Sequence, residues 1–227
     1  MKKSVILLFV LTALISSGCN CNNSEKAEQK QENETTVAAK TILSREEIQT
    51  RSFDELFKSI EAKNMPGDVF TLVGSDYTVI TAGNPSLYNS MVAGWGGMGI
   101  LFNKPATWCM LRANRYTLEV MRNEKTYTMS YFDDTYKDDI MLFGTKSGRD
   151  SDKMKESKLS SVQTPSGNMT YKEAKLIIEC KLTEVTTVSP NDFYSEEGRQ
   201  FVVDAYEEVK DYHKIVFGEI TNVWVRK

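Results

Sequence analysis

Polar and apolar positions divide the chain into three unequal stretches. Residues 5–15 are almost wholly apolar, residues 20–40 almost wholly polar, and from residue 44 onward the two kinds interleave. The interleaving starts with a helical period. Ser44-Arg45-Glu46-Glu47 and Ser52-Phe53-Asp54-Glu55 both have the spacing of a capping box, and Phe53, Leu56, Phe57 and Ile60 share one face at helical spacing. Asn64-Met65-Pro66-Gly67 ends that pattern. From residue 69 the period shortens. Residues 69–73, 77–82 and 90–95 are β-rich runs, separated by Gly74-Ser75-Asp76 and Gly83-Asn84-Pro85, both turn chemistry. Further strands are predicted at 106–111, at 126–131, where Thr126, Thr128 and Ser130 alternate with Tyr127, Met129 and Tyr131, and at 214–225. A long run at 176–188 puts Ile178, Cys180 and Leu182 on one face and Glu179, Lys181 and Thr183 on the other. Helices are predicted at 117–123, about 136–143 and about 195–212, the last with Phe201, Ala205 and Val209 on a shared face. Many short strands, few helices and no regular βαβ alternation or repeat predict a mainly β, α+β domain, a barrel with appended helices. Roughly 180 residues suffice for one such domain with a sizeable core.

The two leading stretches read as addressing and spacing. Lys2-Lys3 precede the apolar run and Ser16-Ser17-Gly18-Cys19 follow it. The run is too short to span a bilayer as a mature helix, and its flanks fit an export signal. Gly18-Cys19 reads as a lipobox, with cleavage before Cys19 and lipid on its thiol, although Ser16 stands where leucine is usual. An ordinary secretory signal is the alternative, and Cys21 is a second lipidation candidate. The expected organisation is a lipoprotein signal peptide over 1–18, a tether over 19–43 and a folded domain over 44–227. Rich in Asn, Glu, Gln, Lys, Ser and Thr, the tether cannot bury enough apolar surface to offset chain entropy, so it is expected to be disordered and to hold the domain off a membrane. The expected location is the cell envelope, lipid-anchored at the periplasmic face or outer membrane of a Gram-negative bacterium.

Charge narrows the partners. The formal net charge is −3, and loss of Lys2 and Lys3 with the signal takes it to −5. A mildly acidic chain without a basic block argues against nucleic acid. A single histidine and unclustered cysteines argue against a metal centre, and no G-x-S-x-G turn frames a nucleophile. Cys109 and Cys180 lie in apolar strand runs and suit buried free thiols, with a disulfide as the alternative in an exported protein.

The candidate chemistry gathers between residues 89 and 117. Asn89-Ser90-Met91-Val92-Ala93-Gly94-Trp95-Gly96-Gly97-Met98-Gly99 and Arg112-Ala113-Asn114-Arg115-Tyr116-Thr117 crowd small residues, glycines, an indole and two arginines between apolar runs. Small side chains let main-chain N–H groups approach a flat anionic ligand, an indole can cover its ring, and arginine can fork onto a phosphate. Gly94, Gly96 and Gly99 also satisfy G-x-G-x-x-G, with Glu119 at the distance of a ribose acid. That dinucleotide fingerprint needs a helix after the glycines, and Ile100-Leu101-Phe102-Asn103-Lys104-Pro105 leaves no room for one. Downstream, Ser147-Gly148-Arg149 can turn successive N–H groups one way into an anion nest, with Lys153 adding charge; a solvated polar loop is the alternative.

Taken together, Asn-x-Met-x-x-x-Trp-Gly-Gly, Arg-x-x-Arg-Tyr-Thr, the run from Gly144 to Lys153, Ile178-Glu179-Cys180, and His213-Lys214-Ile215-Val216-Phe217-Gly218-Glu219-Ile220 resemble the flavin reductase-like (flavoredoxin) family from about Val69 to the C-terminus. The resemblance implies an FMN-binding split β-barrel, usually a homodimer with flavin near the subunit interface. It implies cofactor contacts from Asn89, Ser90, Met91, Val92, Ala93, Gly94, Trp95, Arg112, Arg115, Tyr116, Thr117, Ser147, Gly148, Arg149 and Lys153. Thr117 is also a candidate N-cap of its helix, where an anion would dock; Trp95 has a core role as its alternative, and either arginine a surface ion pair. His213 falls where the family has a histidine beside the flavin and is the candidate catalytic residue. Three functions compete: an FMN-dependent oxidoreductase or electron-transfer protein with an unidentified electron donor and acceptor, a non-catalytic flavin- or haem-type binding lipoprotein, and a surface lipoprotein that uses the barrel as scaffold for protein or glycan.

Overall fold

The computed structural model describes residues 43–227. The signal over 1–18, Cys19 and the tether up to residue 42 lie outside the described residues. In chain order, α1 (Arg45–Thr50) and α2 (Phe53–Leu56) lead into β1 (Phe57–Ile60) and α3 (Val69–Gly74). Two hairpins follow, β2 (Thr78–Asn84) with β3 (Leu87–Ala93) and β4 (Gly96–Leu101) with β5 (Lys104–Arg112). Then come α4 (Tyr116–Glu124), β6 (Thr126–Tyr131), α5 (Lys137–Thr145) and α6 (Lys153–Glu156). A small ribbon of β7 (Ser161–Gln163) and β8 (Met169–Tyr171) precedes β9 (Leu176–Thr187), α7 (Glu196–Ala205) and β10 (His213–Arg226).

The main sheet runs β3-β2-β6-β9-β10-β5-β4, with β1 on the far end of β10. Every pairing is antiparallel. One face gathers Ile80, Met91, Leu111, Tyr127, Met129, Ile178 and Val216 into a common core, and α4 adds Leu118 and Met121 to it. The other face carries a second core, in which Phe53, Leu56, Ile140 and Phe143 from the helices meet Val79, Ile177 and Trp224 from the strands. β3 and β4 are neighbours in the chain, joined through Gly94 and Trp95, yet stand at opposite ends of the strand order and do not pair. The sheet is split there. This is a mainly antiparallel split barrel: the strand pattern predicts the barrel with appended helices, and the family resemblance implies the split.

Several elements depart from the sequence pattern, each for a tertiary reason. The helical face at Phe53–Ile60 breaks after Leu56. β5 pairs with β10 only as far as Glu219, so the end of β10 from Val223 to Arg226 has an edge that Phe57 to Ile60 fills as β1. The expected strand at 69–73 is helical, because the Asp68 carboxylate accepts from the Phe70 and Thr71 N–H groups at 3.1 and 2.9 Å and caps it. Residues 96–101, for which the pattern predicts no strand, form β4. Pro105 is tolerated because it lies just before β5 begins to pair with β10. The glycines there are not a dinucleotide fingerprint. A Cβ on Gly96 would lie 2.3 Å from the Trp108 carbonyl oxygen, and one on Gly97 would lie 2.3 Å from the Trp108 indole. In β9, Leu176 to Cys180 are buried on both faces rather than alternating, since helices cover the face opposite the barrel core. α7 ends at Ala205 and buries Val202 and Tyr206, leaving Phe201 and Val209 exposed at 59% and 63%; its apolar face is one position from that predicted. Cys109 and Cys180 are buried and unpaired, with burial pushing the Cys180 thiol up to about 12.

Candidate functional site

The split exposes the outer edge of β3, which pairs only with β2. A strand edge presents a row of main-chain donors and acceptors. The start of α4 and the segment from the end of α5 through Lys153 line a cavity of about 420 Å³ with this edge. Its walls are Asn89, Met91 and Val92 from β3, Asn114, Arg115, Tyr116 and Thr117 from the start of α4, and Phe143, Gly144, Lys146, Ser147, Gly148, Arg149 and Lys153. A second cavity of about 350 Å³ shares Met91, Val92 and Arg115 with the first and extends to Ala93, Gly94, Trp95, Met110, Arg112 and His213. The glycine-rich stretch and the serine–arginine–lysine bend, distant in sequence, therefore converge on one slot.

Asn89 is buried, and its Nδ2 donates to the Thr117 hydroxyl at 2.7 Å. This bond fixes β3 to the first turn of α4. Gly148 packs against the same amide, where a Cβ would fall 2.1 Å from Asn89 Oδ1, so no larger residue fits without displacing it. Thr117 is not the N-cap. That position is Arg115, whose side chain makes no capping bond. Thr117 instead holds Asn89, and Tyr116 and Thr117 bring the first turn of α4 to the cavity wall; a helix start is where an anion is favoured.

The positive groups are not equivalent. Lys153 is buried and donates to the carbonyls of Phe143 and Lys146 at 3.0 and 2.8 Å, satisfying the C-terminal end of α5. Desolvation, helped by the neighbouring Arg115 cation, pushes its pKa down to about 8. Arg149 donates to the Asn114 carbonyl at 2.8 Å and to Glu119 at 2.6 Å, with its guanidinium 5.0 Å from the centre of the Tyr116 ring. It latches the loop onto α4 rather than offering a free fork to a ligand. The Ser147 hydroxyl accepts from the Arg149 N–H at 3.2 Å, ordering the same turn. Among the described residues neither Arg115 nor Arg112 has an ion pair; Arg112 is engaged with the Ala205 carbonyl, and Arg115, which lines both cavities, is the arginine best placed for an anion. No carboxylate lines either cavity.

At the far end, the Trp95 ring lies 5.1 Å from that of His213 and 6.4 Å from that of Phe201. Arg112 donates to the Ala205 carbonyl at 3.3 Å and sits over the Tyr206 ring. Ser90 lines neither cavity with its side chain: its hydroxyl bonds Thr81 and Tyr171 at 2.8 and 2.7 Å in the buried interior. The remaining expected residues, Met91, Val92, Ala93, Gly94, Trp95, Arg112, Arg115, Tyr116, Thr117, Ser147, Gly148, Arg149, Lys153 and His213, line the two cavities with Asn89. Phe143, Gly144, Lys146, Asn114 and Met110 were missed as lining residues, although Gly144, Lys146 and Asn114 lie inside the motif runs. Tyr206, which reaches His213, was missed because the helical face was set one residue off.

Residues 70–227 match the model of the flavin reductase like domain. Similar solved structures include an FMN-binding protein from Thermus thermophilus with bound 1-cyclohex-2-enone, at 18% identity over 74% of this chain and 80% of that one, TM-score 0.52. An FMN-binding domain of a flavin reductases-like enzyme from Shewanella baltica follows at 14% identity, 74% and 76% coverage and TM-score 0.53. Flavoredoxin of Desulfovibrio vulgaris gives 20% identity, 74% and 75% coverage and TM-score 0.51. At these identities the likeness is one of fold. No curated protein gives a significant match to the sequence.

The depressed Lys153 pKa has a defined pH signature. Its unfolded value is near 10.5 and its folded value about 8, so between these limits the unfolded chain binds more protons and stability rises with pH. Urea unfolding of the wild type and of Lys153→Met should show their stability difference moving in favour of the wild type by about 1–3 kcal/mol from pH ~8 to ~10.5. A difference that stays flat across that window would show that Lys153 is not desolvated.

Proposed function

The chain belongs to the flavin reductase-like domain family, and from that membership we propose that it binds FMN in the slot beside β3 and works in flavin-dependent electron transfer or oxidoreduction. The observation that carries this reading is the polarity of the slot. Arg115, Lys153 and the first turn of α4 make one end suited to a phosphate. Met91, Val92, Trp95 and His213 make the other suited to a planar ring. Asn89 lies between them and fixes β3 against α4. When bound, FMN would supply the electron-accepting and electron-donating chemistry. The chain's own residues orient it. The edge of β3 offers main-chain hydrogen bonds, the cations hold the anionic tail, and Trp95 shields a ring face. His213 presents a neutral imidazole, its pKa pushed down by desolvation and by Arg112. Export of the domain favours an electron donor other than NADH or NADPH.

Two further parts of the reading rest on separate features. A homodimer is supported by the β4–β5 hairpin and α3, where Ile100, Phe102 and Phe70 are 73%, 81% and 84% exposed. Phe102 and Asn103 occupy the turn at φ +50° and +64°, a conformation that disfavours a bulky aromatic. An aromatic displayed at such a site, beside other large apolar residues, suits an interface. A lipid anchor at Cys19 is supported by the residue pattern of 1–19 alone.

Titration with FMN should quench flavin fluorescence and leave the purified protein yellow. Asn89→Ala should weaken binding about tenfold or more, the equivalent of about 1.4 kcal/mol; a colourless protein that ignores FMN would remove the reading, and unchanged affinity in the variant would remove Asn89 from the site. Anaerobic addition of NADH or NADPH tests the choice of donor: the bound flavin should stay oxidised with both, and bleaching would instead show a reductase that accepts them. In sedimentation, Phe102→Asp should convert a dimer to monomer; a wild type already monomeric at micromolar concentration would refute the dimer. Cys19→Ser should move the protein from the membrane to the soluble fraction, and continued membrane pelleting would rule out lipid at Cys19.

A further inference from the structure

We propose that Tyr171 and Ser90 form a positioning pair. Their hydroxyls, joined in the interior, hold the bend that carries Lys153 against β3, and so set how tightly the slot grips a phosphorylated ligand. The ligand half rests on the flavin reading above; the placement of the bend does not.

The geometry begins with β7 and β8, which form a two-stranded sheet of their own. Side chains fasten this ribbon to β6. The Thr128 hydroxyl donates to the Met169 carbonyl at 2.7 Å, and the Ser130 and Thr170 hydroxyls bond at 2.9 Å. The last residue of β8 is Tyr171, which is buried and touches three elements that line the slot. Its hydroxyl bonds that of Ser90 in β3 at 2.7 Å and donates to the Met154 sulfur in α6 at 3.5 Å. Its ring stacks on Phe143 of α5, with the centroids 5.3 Å apart.

Each contact falls next to a group that faces the slot. Met154 follows Lys153 in α6, and Ser90 follows Asn89 in β3. Phe143 supplies one of the two carbonyls that hold the Lys153 ammonium, at 3.0 Å. Lys153 thus bridges α5 and α6, and Tyr171 grips both, α5 by its ring and α6 by its hydroxyl. The same hydroxyl ties them to β3. Ser90 is in turn bonded to Thr81 of β2 at 2.8 Å, so the pair is anchored on two strands. A buried hydroxyl left without a partner is costly, and here Thr81, Ser90 and Tyr171 satisfy one another. Neither Ser90 nor Tyr171 lines the two cavities, so they act on a ligand only through the residues that they place. This gives Ser90 a task that its position in the motif does not reveal.

Tyr171→Phe keeps the ring on Phe143 and removes only the hydroxyl. In the full chain without ligand, amide hydrogen exchange should quicken over residues 146–156 and stay unchanged in β9 and β10. Unchanged exchange over 146–156, or a rise spread evenly through the sheet, would overturn the placement of the bend. With ligand, the preference for FMN over riboflavin should fall about fivefold in Tyr171→Phe, the affinity equivalent of roughly one hydrogen bond, because riboflavin lacks the phosphate. An unchanged preference, with the two ligands weakened alike or not at all, would overturn the ligand half and leave Tyr171 a structural residue. Ser90→Ala removes the partner hydroxyl and should reproduce both changes; a Ser90→Ala protein with both readouts unchanged would overturn the proposal even should Tyr171→Phe not fold. A wild type that does not bind FMN counts against the flavin reading, and the exchange result still decides the placement of the bend.

Discussion

The missing pairing between β3 and β4 is the constraint on which the site depends. Closing the barrel there would satisfy the main-chain groups of β3 with another strand and leave nothing for a ligand. Two tight approaches around this region keep the alternatives out. Gly96 and Gly97 let β4 lie flat on Trp108 of β5, committing β4 to that hairpin. Asn89 ties β3 to Thr117, so the start of α4, rather than a strand, stands beside the open edge. The slot is thus what remains when two strands adjacent in sequence are each held by something else.

Charge then gives the slot a direction. Lys153 and Arg115 face one cavity with no carboxylate in its lining, an arrangement unfavourable for the empty protein and favourable once an anion enters. Lys153 is kept in place by a structural bond: its ammonium satisfies carbonyls at the end of α5, where a cation is also favoured by the helix dipole. Arg149 shows the converse. It lies in the same bend but is spent on Glu119 and Asn114, an exposed pair that contributes little to stability and much to the position of the loop.

What was legible in the sequence follows from which forces are local. The alternation of Tyr127, Met129 and Tyr131 with Thr128 and Ser130 picks out the side turned to the barrel core, although both sides are buried, and with the turn chemistry between β2 and β3 it made the barrel legible. The identities of α3 and β1 could not. Asp68 caps one, and the vacant end of β10 recruits the other, and neither partner is visible in a window of residues. The site residues were recognisable by motif, but their roles were not. Ser90 sits within the motif and points into the core, and Arg149 carries the right charge with the wrong partner. Tyr206 carries no motif at all; only the packing of α7 brings it to His213.

The central claim is that the cations and helix start beside β3 form a phosphate site continuous with a ring site. Comparing the affinities of FMN and riboflavin tests it most directly, because the two ligands share the ring and differ in the phosphate. Riboflavin should bind at least about 30-fold more weakly, the equivalent of about 2 kcal/mol, and the gap should narrow at high salt. Equal affinities would contradict the account, since the Arg115 and Lys153 end of the slot would then be contributing nothing to recognition.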